Sequence, residues 1–347
     1  MTGVFRSCLA VACALASCAT SPDRVPTGVA EPGEPPLPPV ESRRGDEISV
    51  AGQLFHTGTR VVLWDEPGAY DAYRQELRFP DEPGDPKSQP KGARHGIRKG
   101  VPEDVAKRIT DRGWSLAELR DRVDQFVVHY DVCGTSRQCF KVLHDRRGLS
   151  VHFMLDVDGT IYQTLDLKER AWHGTKANDR SVGVEIAHIG AYPKPEHRVL
   201  VEWYDRNEKD VPAGKGPRVR FPKWMKTTGV RTADFVARPA RPEPIEGIVQ
   251  GQRLYQFDFT DEQYEALAHL VAALHGALPR IALDAPREPD GQVVSKVLDE
   301  DRFDAYEGVL GHFHVQKNKT DPGPAFDWER VLKRARELSA RTPDRTD

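Results

Sequence analysis

Nowhere in the 347-residue chain do apolar residues run for the ~18 positions that a membrane-spanning helix needs. Charge of one sign is missing too. Fifty Lys and Arg stand against 53 Asp and Glu, a formal net charge of −3, which gives no reason to propose a nucleic-acid surface. No segment repeats another, so a solenoid is excluded. Cysteine is scarce, five in all, which excludes a disulfide-dense scaffold. What is present is 38% hydrophobic and 30% charged residues, an ordinary globular balance with enough apolar mass for a sizeable core. The length suits one large domain with attachments, or two domains.

The first residues stand apart. Met1–Ser7 carry one Arg and no acid, Cys8–Ala16 are apolar or small, and Leu15-Ala16-Ser17-Cys18 follows. Such a start reads as an export signal. It resembles a bacterial lipoprotein signal, which implies that Cys18 becomes the mature N-terminus and the lipid anchor. Ala19 rather than Asp follows it, which points to an outer membrane, facing the periplasm. The alternative is an ordinary secretory signal with an incidental cysteine. Residues 19–45 carry seven prolines among Gly, Glu and Ser, with almost nothing to bury, and read as a disordered tether. Extended at ~3.1 Å per residue, it reaches up to roughly 80 Å. Beyond it only Cys133 and Cys139 remain, six residues apart, and an exporting context favours a local disulfide between them over a metal pair.

Residues 46–125 are mixed and carry no catalytic constellation, so they read as an extension packed on the core. Val61-Val62-Leu63 is the clearest strand there. Helices are predicted over about 103–112 and from Ser115, where Glu118 completes a capping box. Phe126-Val127-Val128-His129-Tyr130 is a short apolar strand that delivers a histidine at its end. Residues 136–146 read as helix and 151–163 as a β-hairpin turning at Asp158-Gly159. In 181–189 Val182, Val184 and Ile186 face one way; Gly183, Glu185 and Ala187 face the other. Residues 192–259 form a long Pro-rich excursion. After Thr260, the residues Tyr264, Leu267, Ala268, Val271, Leu274 and Leu278 make one apolar helical stripe.

The chemistry concentrates in Gly311-His312-Phe313-His314-Val315-Gln316-Lys317-Asn318-Lys319-Thr320-Asp321-Pro322-Gly323-Pro324. Histidine and aspartate are both usual Zn2+ ligands. Proline after Asp321 biases that residue toward extended backbone. Two ligands do not hold a catalytic zinc, and His129 is the candidate third, although a histidine in an apolar strand taken alone is more often a core residue. His314, two residues from His312, is a rival ligand.

In order along the chain come Gly159-Thr160-Ile161-Tyr162-Gln163, Ala171-Trp172-His173-Gly174, Asn178-Asp179-Arg180-Ser181-Val182-Gly183-Val184-Glu185 and the Gly-His…Lys-Thr-Asp-Pro-Gly-Pro segment. This set resembles the type 2 N-acetylmuramoyl-L-alanine amidases, zinc enzymes related to the phage lysozyme-like amidases and the peptidoglycan recognition proteins. The resemblance covers about 126–190 and 260–335. It implies a mixed α/β fold with a central sheet flanked by helices, spanning about 126–340. It implies one Zn2+ per chain on His129, His312 and Asp321, with Glu185 and Lys319 as catalytic residues. It also implies a Cys133–Cys139 disulfide and a peptidoglycan or muropeptide substrate. Trp172, His173 and Asn178 are the candidates for touching that substrate. The turn Val315-Gln316-Lys317-Asn318 is shorter than in many relatives and lacks an arginine found there, a departure that bears on substrate detail. Glu185, with small Gly183 and Ala187 beside it, has room for substrate, and burial there would raise its pKa toward that of a useful general base. Two other readings of the same residues are a non-catalytic peptidoglycan-binding module and a zinc peptidase cutting within the stem peptide.

Overall fold

The computed structural model describes residues 43–80 and 93–341. The signal at 1–18, its Cys18 and nearly all of the 19–45 tether lie outside them. The described chain carries ten strands: β1 (Glu47–Val50), β2 (Gln53–His56), β3 (Val61–Leu63), β4 (Gln125–Tyr130), β5 (Phe153–Leu155), β6 (Ile161–Gln163), β7 (Ser181–Ile186), β8 (Ile245–Val249), β9 (Gln252–Gln256) and β10 (Gly308–Gly311). Its α-helices are α1 (Glu103–Arg112), α2 (Leu116–Arg122), α3 (Ser136–Phe140), α4 (Arg198–Trp203), α5 (Asp261–Ala277), α6 (Glu300–Ala305), α7 (His312–Val315) and α8 (Trp328–Arg341). A π-helical stretch, Lys141–Arg146, continues α3.

Six strands form the central sheet in the order β10-β4-β7-β5-β6-β3. All neighbours are parallel except the β5–β6 hairpin. This is the mixed sheet flanked by helices that the sequence leads one to expect. The alternation in β4 and β7 explains how it is buried. Phe126 and Val128, with Val182, Val184 and Ile186, point into one core with Phe153, Leu155, and Leu267, Leu270, Val271 and Leu274 of α5. Val127, His129, Gly183 and Glu185 alternate onto the opposite face. Helix α5 starts at the capping box of Thr260 and Gln263 and lies along α8, whose Val331 and Leu332 enter the same core. Each such aliphatic side chain contributes ~1.5–3 kcal/mol on full burial.

The segment 46–125 is more than a covering layer. Its Val61–Leu63 pairs in parallel with β6 and forms the sheet's edge. Its Arg98 is fully buried and donates to the carbonyls of Ser181 and Leu167, both at 2.8 Å, which ties the extension to the start of β7. The long excursion from 192 to 259 is also partly regular, with α4 and the β8–β9 hairpin.

If the α5 stripe holds the sheet, Leu274→Ala should lower the unfolding free energy by about 2–5 kcal/mol. Urea titration followed by far-UV circular dichroism measures this, and a loss well below 1 kcal/mol would contradict the packing.

Candidate metal centre and its cleft

Strand register assembles the site. Gly311 at the end of β10 lies opposite Val128 of β4, and His129 lies opposite Glu185 of β7. Three parallel strands therefore end side by side, and the carboxyl ends of parallel strands are where open α/β sheets carry their sites. His312 opens the single helical turn α7 directly after β10. A side chain on Gly311 would press on Pro322, at 2.7 Å, so glycine is what lets the Asp321-Pro322 segment close over the strand end. The Phe313 amide donates to the Asp321 carbonyl. The excursion supplies the outer brace. Gln256 of β9 donates to the Pro322 carbonyl at 3.0 Å and accepts from the Ala325 amide at 3.0 Å.

The three candidate ligands meet. His129 Nδ1 lies 2.9 Å from His312 Nδ1 and 3.0 Å from Asp321 Oδ2, and His312 Nδ1 lies 2.8 Å from the same oxygen. All three residues are buried. His312 Nε2 faces Gln316 Oε1 at 2.8 Å. An amide oxygen only accepts, so Nε2 carries a proton, and the form of His312 with one ring proton turns a lone pair inward from Nδ1. Two imidazole nitrogens and a carboxylate oxygen thus lie within 3.0 Å of one another. The donor set suits one divalent cation, with nitrogen and oxygen ligands of the kind Zn2+ takes.

Electrostatics agree. Burial, then His312, push the His129 pKa down to about 4, so His129 stays neutral, as a ligand must. Burial works to raise Asp321, yet the two histidines outweigh it and hold the carboxyl below its usual range. Burial, then the charges of Asp321 and Asp131, push Glu185 well above the usual carboxylate range, and its Oε2 is enclosed without a partner.

His314 is not a ligand. Its Nδ1 accepts from the Gly311 amide at 2.9 Å and its Nε2 donates to the Val294 carbonyl at 2.6 Å, so both ring nitrogens are spent. The reason is local: His312 and His314 lie on a helical turn, where positions two apart face different ways. The second clustered group among the described residues, Asp46, Glu47 and His56, is partly exposed, and the Glu47 carboxylate accepts the amides of Arg44, Gly45 and Asp46.

A cleft of about 400 Å3 opens over the centre and is lined by His129, Glu185, His312, Lys319 and Asp321, with Trp172, Asn178, Asp131 and Arg147 among its walls. Trp172 is 39% exposed and donates from Nε1 to the Arg94 carbonyl. Asn178 lines the cleft, but its Oδ1 accepts from the His173 amide at 2.6 Å, so it shapes the loop. His173 is fully buried and does not reach the cleft, contrary to its expected place against substrate. It fills the space over Gly183, where a Cβ would come within 2.4 Å of its Nδ1. The room beside Glu185 is thus taken by His173 and not by substrate. His152 makes the local polar contact expected of it, with His173.

The expected disulfide is not formed. Cys133 and Cys139 are free thiols in contact with each other. Burial raises the Cys139 thiol well above its usual pKa. Gln316, Gln256, Asp131 and Arg147 were not singled out from sequence. Only Gln316 carried a signal, four residues from His312 and so on one helical face, visible once α7 is known to be helical.

Among curated protein sequences, none matches the chain. The crystal structure of a selenomethionine derivative of AmpD matches with 17% identity over 71% of this chain and 91% of that one, at a TM-score of 0.31. The complex of the N-acetylmuramyl-L-alanine amidase AmiD from E. coli with anhydro-N-acetylmuramic acid-L-Ala-D-gamma-Glu-L-Lys matches with 16% identity over 61% of this chain and 57% of that one, at 0.34. Likeness at these scores decides nothing about chemistry. Residues 119–212 match the family model described as N-acetylmuramoyl-L-alanine amidase, a span that holds His129 and Glu185 and ends before His312 and Asp321. Over that span the chain is similar to the N-acetylmuramoyl-L-alanine amidase family.

Proposed function

We propose that the chain hydrolyses the amide joining N-acetylmuramic acid to L-alanine in peptidoglycan or muropeptides, with one Zn2+ held by His129, His312 and Asp321. The observation that carries the reading is the convergence of two Nδ1 atoms and one carboxylate oxygen, all within 3.0 Å, at the floor of a cleft that also holds Glu185 and Lys319. When bound, the ion supplies Lewis acidity to the carbonyl and the water that react beside it.

The chain's own groups supply the rest. Glu185 takes a proton from the attacking water and returns it to the leaving amine nitrogen. Its enclosed, unpartnered Oε2 and raised pKa support that exchange, since an ordinary surface carboxylate is too weak a base to draw a proton from water. Lys319 lines the same cleft and brings positive charge toward the oxygen that becomes anionic as the carbonyl is attacked. Trp172 offers a half-exposed ring at the rim for the sugar or the peptide. Arg170 sits 4.8 Å over that ring and steadies it. The reading includes location: the Leu-Ala-Ser-Cys motif supports an exported lipoprotein, anchored through Cys18 and facing the periplasm.

Digestion of peptidoglycan followed by mass spectrometry should yield free peptides beginning with L-alanine and intact glycan; fragments cut inside the stem peptide would overturn the assignment. Removal of metal with a chelator should abolish turnover, and added Zn2+ should restore it. Glu185→Gln should keep zinc and lose about 100- to 10,000-fold in kcat, the usual worth of a general acid–base group; a variant at full rate removes Glu185 from the chemistry. Cys18→Ser should abolish palmitate incorporation and shift the protein out of the membrane fraction, and persistent labelling would refute the anchor.

A further inference from the structure

Among the described residues, φ is positive at the non-glycine positions Ala51, Val132, Asp234 and Gln250. Three of them have an ordinary account. Ala51 and Gln250 sit with Gly52 and Gly251 in the two-residue turns of the β1–β2 and β8–β9 hairpins, and such turns require positive φ. Asp234 is of a type whose short polar side chain tolerates the left-handed region. Val132, at φ 52°, has no such account. A β-branched residue in this region is a true outlier, because its Cβ crowds the neighbouring carbonyl. Strain of this kind persists only where the surroundings over-determine it, and it gathers at functional sites.

The surroundings do over-determine it. Val132 lies in the short loop between β4 and α3, three residues after His129. Asp131 gathers that loop. Its Oδ1 accepts the amides of Cys133 at 2.9 Å, Gly134 at 3.0 Å and, from just beyond β7, His188 at 3.0 Å. Trp203 of α4 closes on Gly134, where a Cβ would come within 2.3 Å of the indole ring. Thr135 then caps α3 by accepting from the Gln138 amide. The loop is pinned on both sides of Val132, whose side chain is left 52% exposed.

That side chain lines the cleft over the metal centre, together with His129 and Glu185. The half-buried Val142, Leu143 and Leu149 line it too and make the same wall apolar. An isopropyl group in water gains free energy when another apolar group covers it. The substrate read above carries two such groups beside the amide to be cut, the methyl of the lactyl arm on the acyl side and the methyl of L-alanine on the amine side.

We propose that Val132 is a specificity residue for this reaction: held in a strained loop, its isopropyl group packs against a methyl group flanking the scissile amide. The proposal rests on the amidase reading above. It gives the Asp131 carboxylate and Trp203 a shared task at a distance from the chemistry, which is to hold the loop that presents Val132.

The test compares kcat/KM of the zinc-supplemented full chain with that of Val132→Asn on three soluble muropeptides. One carries both methyl groups, one has glycine in place of L-alanine, and one has an oxyacetyl arm in place of the lactyl arm. The unsubstituted protein should lose about 10-fold on one of the two truncated substrates, the low end of what such a group is worth in an apolar pocket, and that substrate identifies the methyl. Asparagine suits the left-handed backbone but not an apolar contact, so in Val132→Asn the preference should shrink to near parity. Relief of strain should also raise the melting temperature of the variant by about 2–4 °C, read without substrate. Truncated substrates cut as fast as the parent, or the same preference in Val132→Asn, overturn the inference and leave the amidase reading intact. A variant that melts lower or does not fold overturns the strained loop on which the inference stands. An unsubstituted chain that cuts none of the three overturns both.

Discussion

The structure depends on the register of three parallel strands. Because β4 pairs with β10 on one side and with β7 on the other, the ends of all three meet at one edge of the sheet. His129, Glu185 and His312 are thereby neighbours although 56 residues separate the first two in sequence and 127 the last two. A slip of one residue would carry His129 and Glu185 into the apolar core and turn Val128 and Val184 toward the cleft. The α5 and α8 layer, by burying Phe126, Val128, Val182 and Val184, makes such a slip costly. Packing on one face of the sheet thus determines chemistry on the other.

Burial gives the site its electrostatic character. His129, His152 and His173 all lie in an enclosed region where charge is disfavoured, and each is pushed toward the neutral form. The same enclosure raises Glu185, with Asp321 and Asp131 adding to it. A cation at the centre would act in the opposite sense on the carboxylates. The arrangement is one in which imidazoles are free to ligate and a carboxyl is poised to exchange a proton, both from a single physical cause.

Much of the fold is legible in the sequence. The Ser115–Glu118 and Thr260–Gln263 capping boxes mark helix starts because their hydrogen bonds are local, and both are formed. Alternation in 181–186 sorts core from cleft, since a strand's side chains necessarily alternate. Other features were less legible. His312-Phe313-His314-Val315 is too short for period to distinguish strand from helical turn, so only the place after Gly311 favoured His312 over His314, and the support from Gln316 emerged from the tertiary structure. Gly183 looked like space for substrate, and nothing nearby in sequence says that His173 fills it. Cys133 and Cys139 have disulfide spacing, yet both stand as free thiols.

The sequence by itself determined the elements, the apolar faces and the short list of residues able to ligate or to exchange protons, because those follow from residue type and from periods of two and 3.6. Only the tertiary structure decided which of twelve histidines share an atom-to-atom contact, which are spent on backbone partners and which are left with an open nitrogen. That decision belongs to long-range pairing. Contacts between residues 129, 185, 312 and 321 are made by strands brought together through the whole core, and no local pattern of the chain encodes them.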